Sequence, residues 1–161
     1  MPLRSAAASL ALVALIALAP RAVTAAEPPF ATITEKRGAF DDVVFDVRQA
    51  ITQAGFSVDA TSHVGDMLAR TAKDVGATKE VYKSAVGLQF CSVRLSRAMF
   101  EADPTTIALC PSVIVVYELA GRPGVVHVGY RRLPEIAEGA AREAIDAQRR
   151  MLDAIVKEAT Q

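Results

Sequence analysis

Two cysteines and two histidines are the side chains of this sequence with the widest chemical capacity. Cys91 and Cys110 have 18 residues between them, and His63 and His127 lie 64 positions apart. The cysteines form no C-x-x-C motif, so neither a thioredoxin-type centre nor a zinc ribbon is predicted. The histidines belong to no H-E-x-x-H motif. All four residues are therefore candidates by residue type alone.

The cysteines flank a single predicted helix. Cys91 ends one predicted strand, and Cys110 lies near the start of the next. A strand-helix-strand excursion can return the chain to an adjacent strand, which would bring the two sulfurs together. Three states stay open for this pair: a disulfide, two buried thiols acting as small hydrophobes, or a thiol centre for redox or soft-metal chemistry.

The histidines are candidates for ligand contact. His127 shares a predicted strand face with Val125 and Gly129, from which it could meet a cysteine sulfur and form a copper or zinc site. A surface or hydrogen-bonded histidine is the alternative. His63 lies in a predicted loop, where functional residues are common. Together with Tyr117, these histidines are the predicted lining of a ligand pocket.

Composition and missing motifs exclude several classes of function. The chain has 18 basic and 18 acidic residues, so it lacks the basic excess of a nucleic-acid binder. It has no G-x-S-x-G motif, Walker A loop or dinucleotide fingerprint. No catalytic residue and no cofactor are predicted, and an enzyme is not the favoured interpretation.

The N-terminus has the pattern of an export signal. Arg4 precedes an apolar run from Ala6 to Ala19, and small residues around Ala25 and Ala26 offer a cleavage site. The run is shorter than the ~20 residues of a transmembrane helix, although an uncleaved anchor stays open. We therefore expect residues 1–26 to be a signal peptide and residues 27–161 to be one α+β domain in the periplasm or outside the cell. No membrane span is predicted after the signal is removed.

Hydrophobic periodicity predicts alternating strands and helices. The pattern favours a two-layer α+β sandwich, in which helices pack on a mainly antiparallel sheet. The predicted strands are 30–35, 56–61, 86–91, 107–119 and 125–131, and the predicted helices begin near Phe40, Val64, Ser92 and Pro134.

The predicted central strand is apolar on both faces. Ile114 and Val116 alternate with Val113, Val115 and Tyr117, whereas a strand with one solvated face would carry polar residues at every second position. The second face is therefore expected to be covered by a second copy of the chain or to line a ligand cavity. The intramolecular alternative places the final helix on one side of the sheet and the first helix on the other.

Three segments resemble the bacterial domain of unknown function family 302. They are Phe40-Asp41-Asp42-x-x-Phe45 running to Ala54-Gly55-Phe56, Cys91 running to Glu101-Ala102-Asp103-Pro104, and Leu109-Cys110-Pro111 running to Val115-Val116-Tyr117-Glu118. The resemblance covers roughly residues 29–134. This sequence departs from the usual family pattern at Cys91-Ser92-Val93, where Cys-Asn-Pro is usual, and at Leu109-Cys110-Pro111, where Leu-Pro-Cys is usual. The resemblance implies a small TATA-box-binding-protein-like α+β domain that is dimeric, and it implies no reaction.

The function predicted from these observations is a non-enzymatic periplasmic binding or accessory module, with a homodimer or a small ligand as its partner. The alternative is a thiol-redox or soft-metal site built on Cys91 and Cys110, with His127 as a further metal ligand. A purely structural partner subunit is the third hypothesis.

Overall fold

The computed structural model describes residues 28–135 and 139–161, so the predicted signal peptide, residues 1–26, lies outside the described residues. The five strands are β1 (Ala31–Arg37), β2 (Ala60–Ser62), β3 (Tyr82–Phe90), β4 (Ser112–Leu119) and β5 (Val125–Arg131). The four α-helices are α1 (Phe40–Gln53), α2 (Val64–Thr71), α3 (Val93–Ala102) and α4 (Ala140–Ala159). A 3-10 helix, Pro104–Leu109, follows α3.

The strands form one antiparallel sheet in the order β1-β5-β4-β3-β2. Three helices, α1, α3 and α4, pack on one face of it, so the predicted α+β two-layer architecture is confirmed. Within the described residues, no helix combines the length and the apolar character needed to cross a bilayer.

The core lies between this sheet face and the three helices. Each central strand contributes alternate residues, because side chains of a strand point to opposite faces in turn. The fully buried members from the sheet and from the helices are Leu88, Phe90, Ile114, Val116, Val126, Val128, Val43, Val47, Ile51, Met99, Ile145 and Leu152. A buried hydrogen bond of 3.0 Å from Gln148 Nε2 to Ser112 Oγ also joins α4 to the start of β4.

The two faces of β4 have different environments. Ile114 and Val116 are buried in the core, whereas Val113, Val115 and Tyr117 are half-buried on the opposite face, here called the open face. The intramolecular alternative, with the first and last helices on opposite sides of the sheet, is wrong. Helices α1 and α4 contact each other on the same side because their apolar stripes share one core.

The predicted strand 107–119 is too long. Its first residues belong to the 3-10 helix, which Asp103 caps by accepting a hydrogen bond of 2.8 Å from the Thr105 backbone N–H. Pro111, which follows a cis peptide bond, has no N–H to donate to a strand ladder. Strand β4 therefore begins at Ser112.

Three other predicted boundaries shift. Of the strand predicted at 56–61, only the last two residues pair with β3, as the start of β2, whereas Phe56 and Val58 pack against the core. The strand predicted from residue 86 begins earlier, since β3 starts at Tyr82. The final helix begins at Ala140 and not at Pro134, and residues 136–138 lie outside the described part.

The close pairing of β1 with β5 depends on a glycine. A Cβ atom at Gly129 would overlap the Thr32 carbonyl oxygen and lie 2.5 Å from Ile33 Cδ1, so no larger residue fits. We predict that Gly129→Ala lowers the free energy of unfolding by about 2–3 kcal/mol, because backbone must move to accept the methyl group.

Gly121→Ala is the matched control. Apart from Gly121 and its two chain neighbours, no described residue has an atom within 4 Å of the position that the methyl group would occupy, and the φ angle of Gly121 is not positive. Urea unfolding of both variants measures the difference. Equal stabilities would show that β1 does not pack on β5 as described.

Candidate functional site

A row of polar and aromatic side chains crosses the open face of the sheet. The register pairs Ala85 of β3 with Tyr117 of β4, Tyr117 with His127 of β5, and His127 with Glu35 of β1. Directly opposed residues on one face have neighbouring Cβ atoms, so their side chains meet. The strand register therefore assembles this row from four segments that are distant in sequence.

Aromatic stacking holds the centre of the row. The rings of Tyr117 and His127 are parallel within 4°, and their centroids are 4.6 Å apart. Tyr82 meets Tyr117 edge-on, with centroids 5.4 Å apart. Burial raises the pKa of Tyr117, and the nearby Tyr82 and Glu35 add to this effect, so the phenol stays neutral.

A charged pair closes the outer end of the row. Arg122, in the turn between β4 and β5, donates two hydrogen bonds to the Glu35 carboxylate at 2.7 and 3.1 Å. This two-point contact is the geometry that guanidinium and carboxylate groups prefer. The Arg122 hydrogen bond lowers the pKa of Glu35 most strongly, and the charge of Arg122 and a hydrogen bond from His127 lower it further. Glu35 is therefore a fixed carboxylate above acidic pH.

His127 lies between the aromatic and the charged parts of the row. Its Nε2 atom is 3.3 Å from Glu35 Oε1, and its side chain is only 7% exposed. We assign the ring proton to Nε2, since a carboxylate accepts hydrogen bonds, which leaves Nδ1 as an acceptor. Among the described residues, Nδ1 is the one buried side-chain nitrogen or oxygen without a hydrogen-bond partner.

The structure brings Cys91 and Cys110 together at a different place. Their sulfur atoms are 2.7 Å apart, where β3 ends and β4 is about to begin. The hydroxyl oxygen of Ser96 on α3 lies 3.7 Å from Cys110 Sγ. Both cysteines are half-buried beside a surface groove that Val93 and other residues of α3 line.

The structure does not bring His127 to the cysteines. Tyr117, the cross-strand neighbour of His127, is five residues along β4 from Ser112, which corresponds to about 17 Å. Cys110 lies beyond that end of the strand. Nowhere in the two described ranges do three or more His, Cys, Asp or Glu side chains converge as a metal site would require.

The predicted ligand-pocket residues separate into a pair and an outlier. Tyr117 and His127 are in contact, whereas His63 precedes α2 at the edge of the sheet with a 63% exposed side chain. The contact of His63 is with Asp66, at 3.7 Å between Nδ1 and Oδ2. Two strand spacings, about 10 Å, separate that edge from β4.

Three members of the row were not predicted from the sequence: Tyr82, Glu35 and Arg122. Glu35 alternates with Ile33 along β1, but only the pairing of β1 with β5 shows which residue it faces. Tyr82 reaches the open face at an irregularity in the β3–β4 register, which no periodic pattern reveals. The signal for Arg122 was weak, because glycine and proline in its turn predict only a connection.

Comparison with known proteins identifies the family. The sequence profile described as "Domain of unknown function DUF302" matches residues 31–159, which include every described strand and α-helix. The chain belongs to the DUF302 family. The predicted resemblance to family 302 is thereby confirmed. No curated protein matches the chain.

A solved DUF302 structure has a similar fold. It is the crystal structure of an uncharacterized conserved DUF302 protein from Bacillus stearothermophilus, with a TM-score of 0.65 and 16% sequence identity. The match covers 82% of this chain and 99% of that one. At this identity the likeness concerns the fold alone, so the functional argument depends on the residues of this DUF302 domain.

The Arg122–Glu35 pair gives a pH-dependent prediction. A carboxyl group whose pKa is lowered by folding stabilises the folded state above its unfolded pKa, and this stabilisation is lost as the pH falls through the folded value. We predict that Arg122→Gln raises the pKa of Glu35 towards its ordinary value and removes this part of the acid dependence of unfolding.

The pKa of Glu35 is measured by NMR titration of its carboxyl carbon. Arg97→Gln is the control, because Arg97 pairs with Glu101 on the exposed side of α3, with a 3.5 Å contact. An unchanged Glu35 titration in Arg122→Gln would contradict the described pair.

Proposed function

We propose that this DUF302 protein is an exported, non-enzymatic binding or accessory module of the periplasm that binds its partner through the open face around Tyr117 and His127. The observation that carries this proposal is the Nδ1 atom of His127, which is buried and has no hydrogen-bond partner among the described residues. Buried polar atoms are nearly always hydrogen-bonded, since leaving one unpaired costs about 1–3 kcal/mol. A partner that supplies a hydrogen-bond donor would remove this cost.

The surroundings of His127 support a binding surface. Tyr117, which stacks on the ring, is half-buried, and Glu35, on the neighbouring strand, is exposed, so a partner that reaches Nδ1 first contacts these two side chains. Val113, Val115 and Ile33 extend the same face as a half-buried apolar area. Such a combination of apolar area with one directed polar group is typical of binding surfaces.

A second copy of the chain is the partner that we propose first. The open face is a sheet surface on which aromatic and β-branched side chains stay incompletely covered, and soluble proteins usually bury such areas. A small ligand on the same face is the other branch of the proposal.

Val115 lies near the middle of the open face, so Val115→Lys tests this surface. We predict that the mature wild-type protein sediments as a dimer at micromolar concentration and that Val115→Lys sediments as a monomer, because a lysine there would bury an unpaired charge. Val93→Lys is the matched control, since Val93 is 78% exposed on α3. It should sediment like the wild type.

If the wild type is a monomer, an apolar fluorescent probe, anilinonaphthalene sulfonate, tests the ligand branch. Binding of the probe by the wild type and by Val93→Lys, but not by Val115→Lys, would support a ligand surface. A wild-type monomer that binds no probe, or that binds it equally after Val115→Lys, would contradict the proposal.

The second candidate function is a thiol-redox or soft-metal site built on Cys91 and Cys110. The short distance between their sulfur atoms supports sulfur chemistry at this pair. Copper(I) and zinc titrations of the reduced protein separate the two branches. Binding tighter than micromolar would support the metal branch, and weaker binding would leave thiol–disulfide chemistry.

A further inference from the structure

The surroundings of Cys91 and Cys110 distinguish among the chemistries open to two neighbouring thiols. The register pairs Phe90 of β3 with Ser112 of β4, so each cysteine lies one or two residues beyond the last rung of this ladder. Two adjacent strands thus fix both ends of the excursion that contains α3. The 2.7 Å between the sulfurs is shorter than the about 3.5–4.0 Å at which nonbonded heavy atoms pack.

A shared metal ion fits this geometry poorly. Zinc–sulfur bonds of about 2.3 Å in a tetrahedral site hold two sulfurs about 3.8 Å apart, so the pair would have to separate. A disulfide requires about 2.05 Å, which is a smaller displacement. Within the described residues, no third ligand of the His, Cys, Asp or Glu type completes a metal site at the pair.

We propose that Cys91 and Cys110 form a disulfide that fastens the end of β3 to the start of β4 and is retained as a structural bond. The oxidant is a disulfide of the exporting compartment, either of a low-molecular-weight thiol or of a thiol oxidoreductase. One thiolate attacks this disulfide and releases one thiol, and the second cysteine then displaces the other. Overall, the two cysteine thiols become one disulfide, and the disulfide of the oxidant becomes two thiols.

The environment of Cys91 favours retention of this bond. Burial, followed by the adjacent Cys110, raises the pKa of the Cys91 thiol to about 11. A poorly stabilised thiolate is a poor leaving group, so a reducing thiol that attacks the Cys110 sulfur and must release Cys91 reacts slowly. The bond also closes a loop with 18 residues between the cysteines, which restricts the unfolded chain. This role is independent of the open face.

The test uses the full chain exported to a bacterial periplasm and isolated without reductant. We expect its mass to show cleavage after Ala25 or Ala26 and the loss of two hydrogen atoms. Iodoacetamide should label no cysteine after denaturation, and dithiothreitol should lower the Tm by about 5–10 °C. Oxidised glutathione should restore the original Tm to the reduced, refolded protein.

The double variant Cys91→Ser, Cys110→Ser is the control. Its Tm should equal that of the reduced wild type and should not respond to dithiothreitol. If this variant does not fold, the comparison of oxidised with reduced wild type carries the test alone. Two labelled cysteines in the periplasmic protein would overturn the disulfide. An unchanged Tm after reduction, or reduction within minutes by millimolar glutathione, would overturn its retained structural role.

Discussion

Strand β4 lies between β3 and β5, and its pairing with these two strands determines how the core and the open face are built. Its side chains alternate between the helix-covered core and the open face, so one pairing register fixes both layers at once. The same register that buries Ile114 and Val116 places Tyr117 over His127. A shift of the β4 register by one residue would turn its buried apolar side chains to the open face and separate Tyr117 from His127. The candidate site therefore depends on the same register as the fold.

Buried polar groups form hydrogen bonds at both ends of β4. At the turn between β4 and β5, the Glu118 carboxylate accepts hydrogen bonds from the Gly124 N–H at 2.7 Å and from Lys83 Nζ at 3.2 Å, and the Gly124 bond contributes most to lowering its pKa. At the other end of β4, Ser112 accepts from Gln148. These groups have partners, whereas His127 Nδ1 has none in the described part of the chain. A contribution to folding stability is therefore enough to explain Glu118 and Ser112, but it does not explain the unpartnered nitrogen of His127.

The sequence predicted the layers of the fold better than the composition of the site. Periodicity of 2 and 3.6 residues is local, and it located the five strands and four helices, including the doubly apolar strand. It also placed His127 on the correct face of β5. Strand 107–119 was overextended because apolar residues of the 3-10 helix mimic a strand until Asp103 and Pro111 are taken into account.

Contacts between distant segments explain the remaining differences. Glu35 and His127 meet only because the first strand pairs with the last, and no spacing in the sequence encodes that choice. The approach of Cys91 to Cys110 was easier to anticipate, since a single helical excursion connects adjacent strands. The same topology separates both cysteines from His127, which is why a site combining all three residues is not assembled.

We infer that His127 serves binding at some expense to the stability of the isolated domain. Replacing it with phenylalanine keeps a ring beneath Tyr117 and removes the unpartnered nitrogen. The most direct test combines urea unfolding of His127→Phe, at concentrations below self-association, with sedimentation at higher concentration. This role of His127 predicts a free energy of unfolding that is unchanged or higher by about 1 kcal/mol, together with association at least about tenfold weaker. A destabilised variant that still associates like the wild type would contradict it.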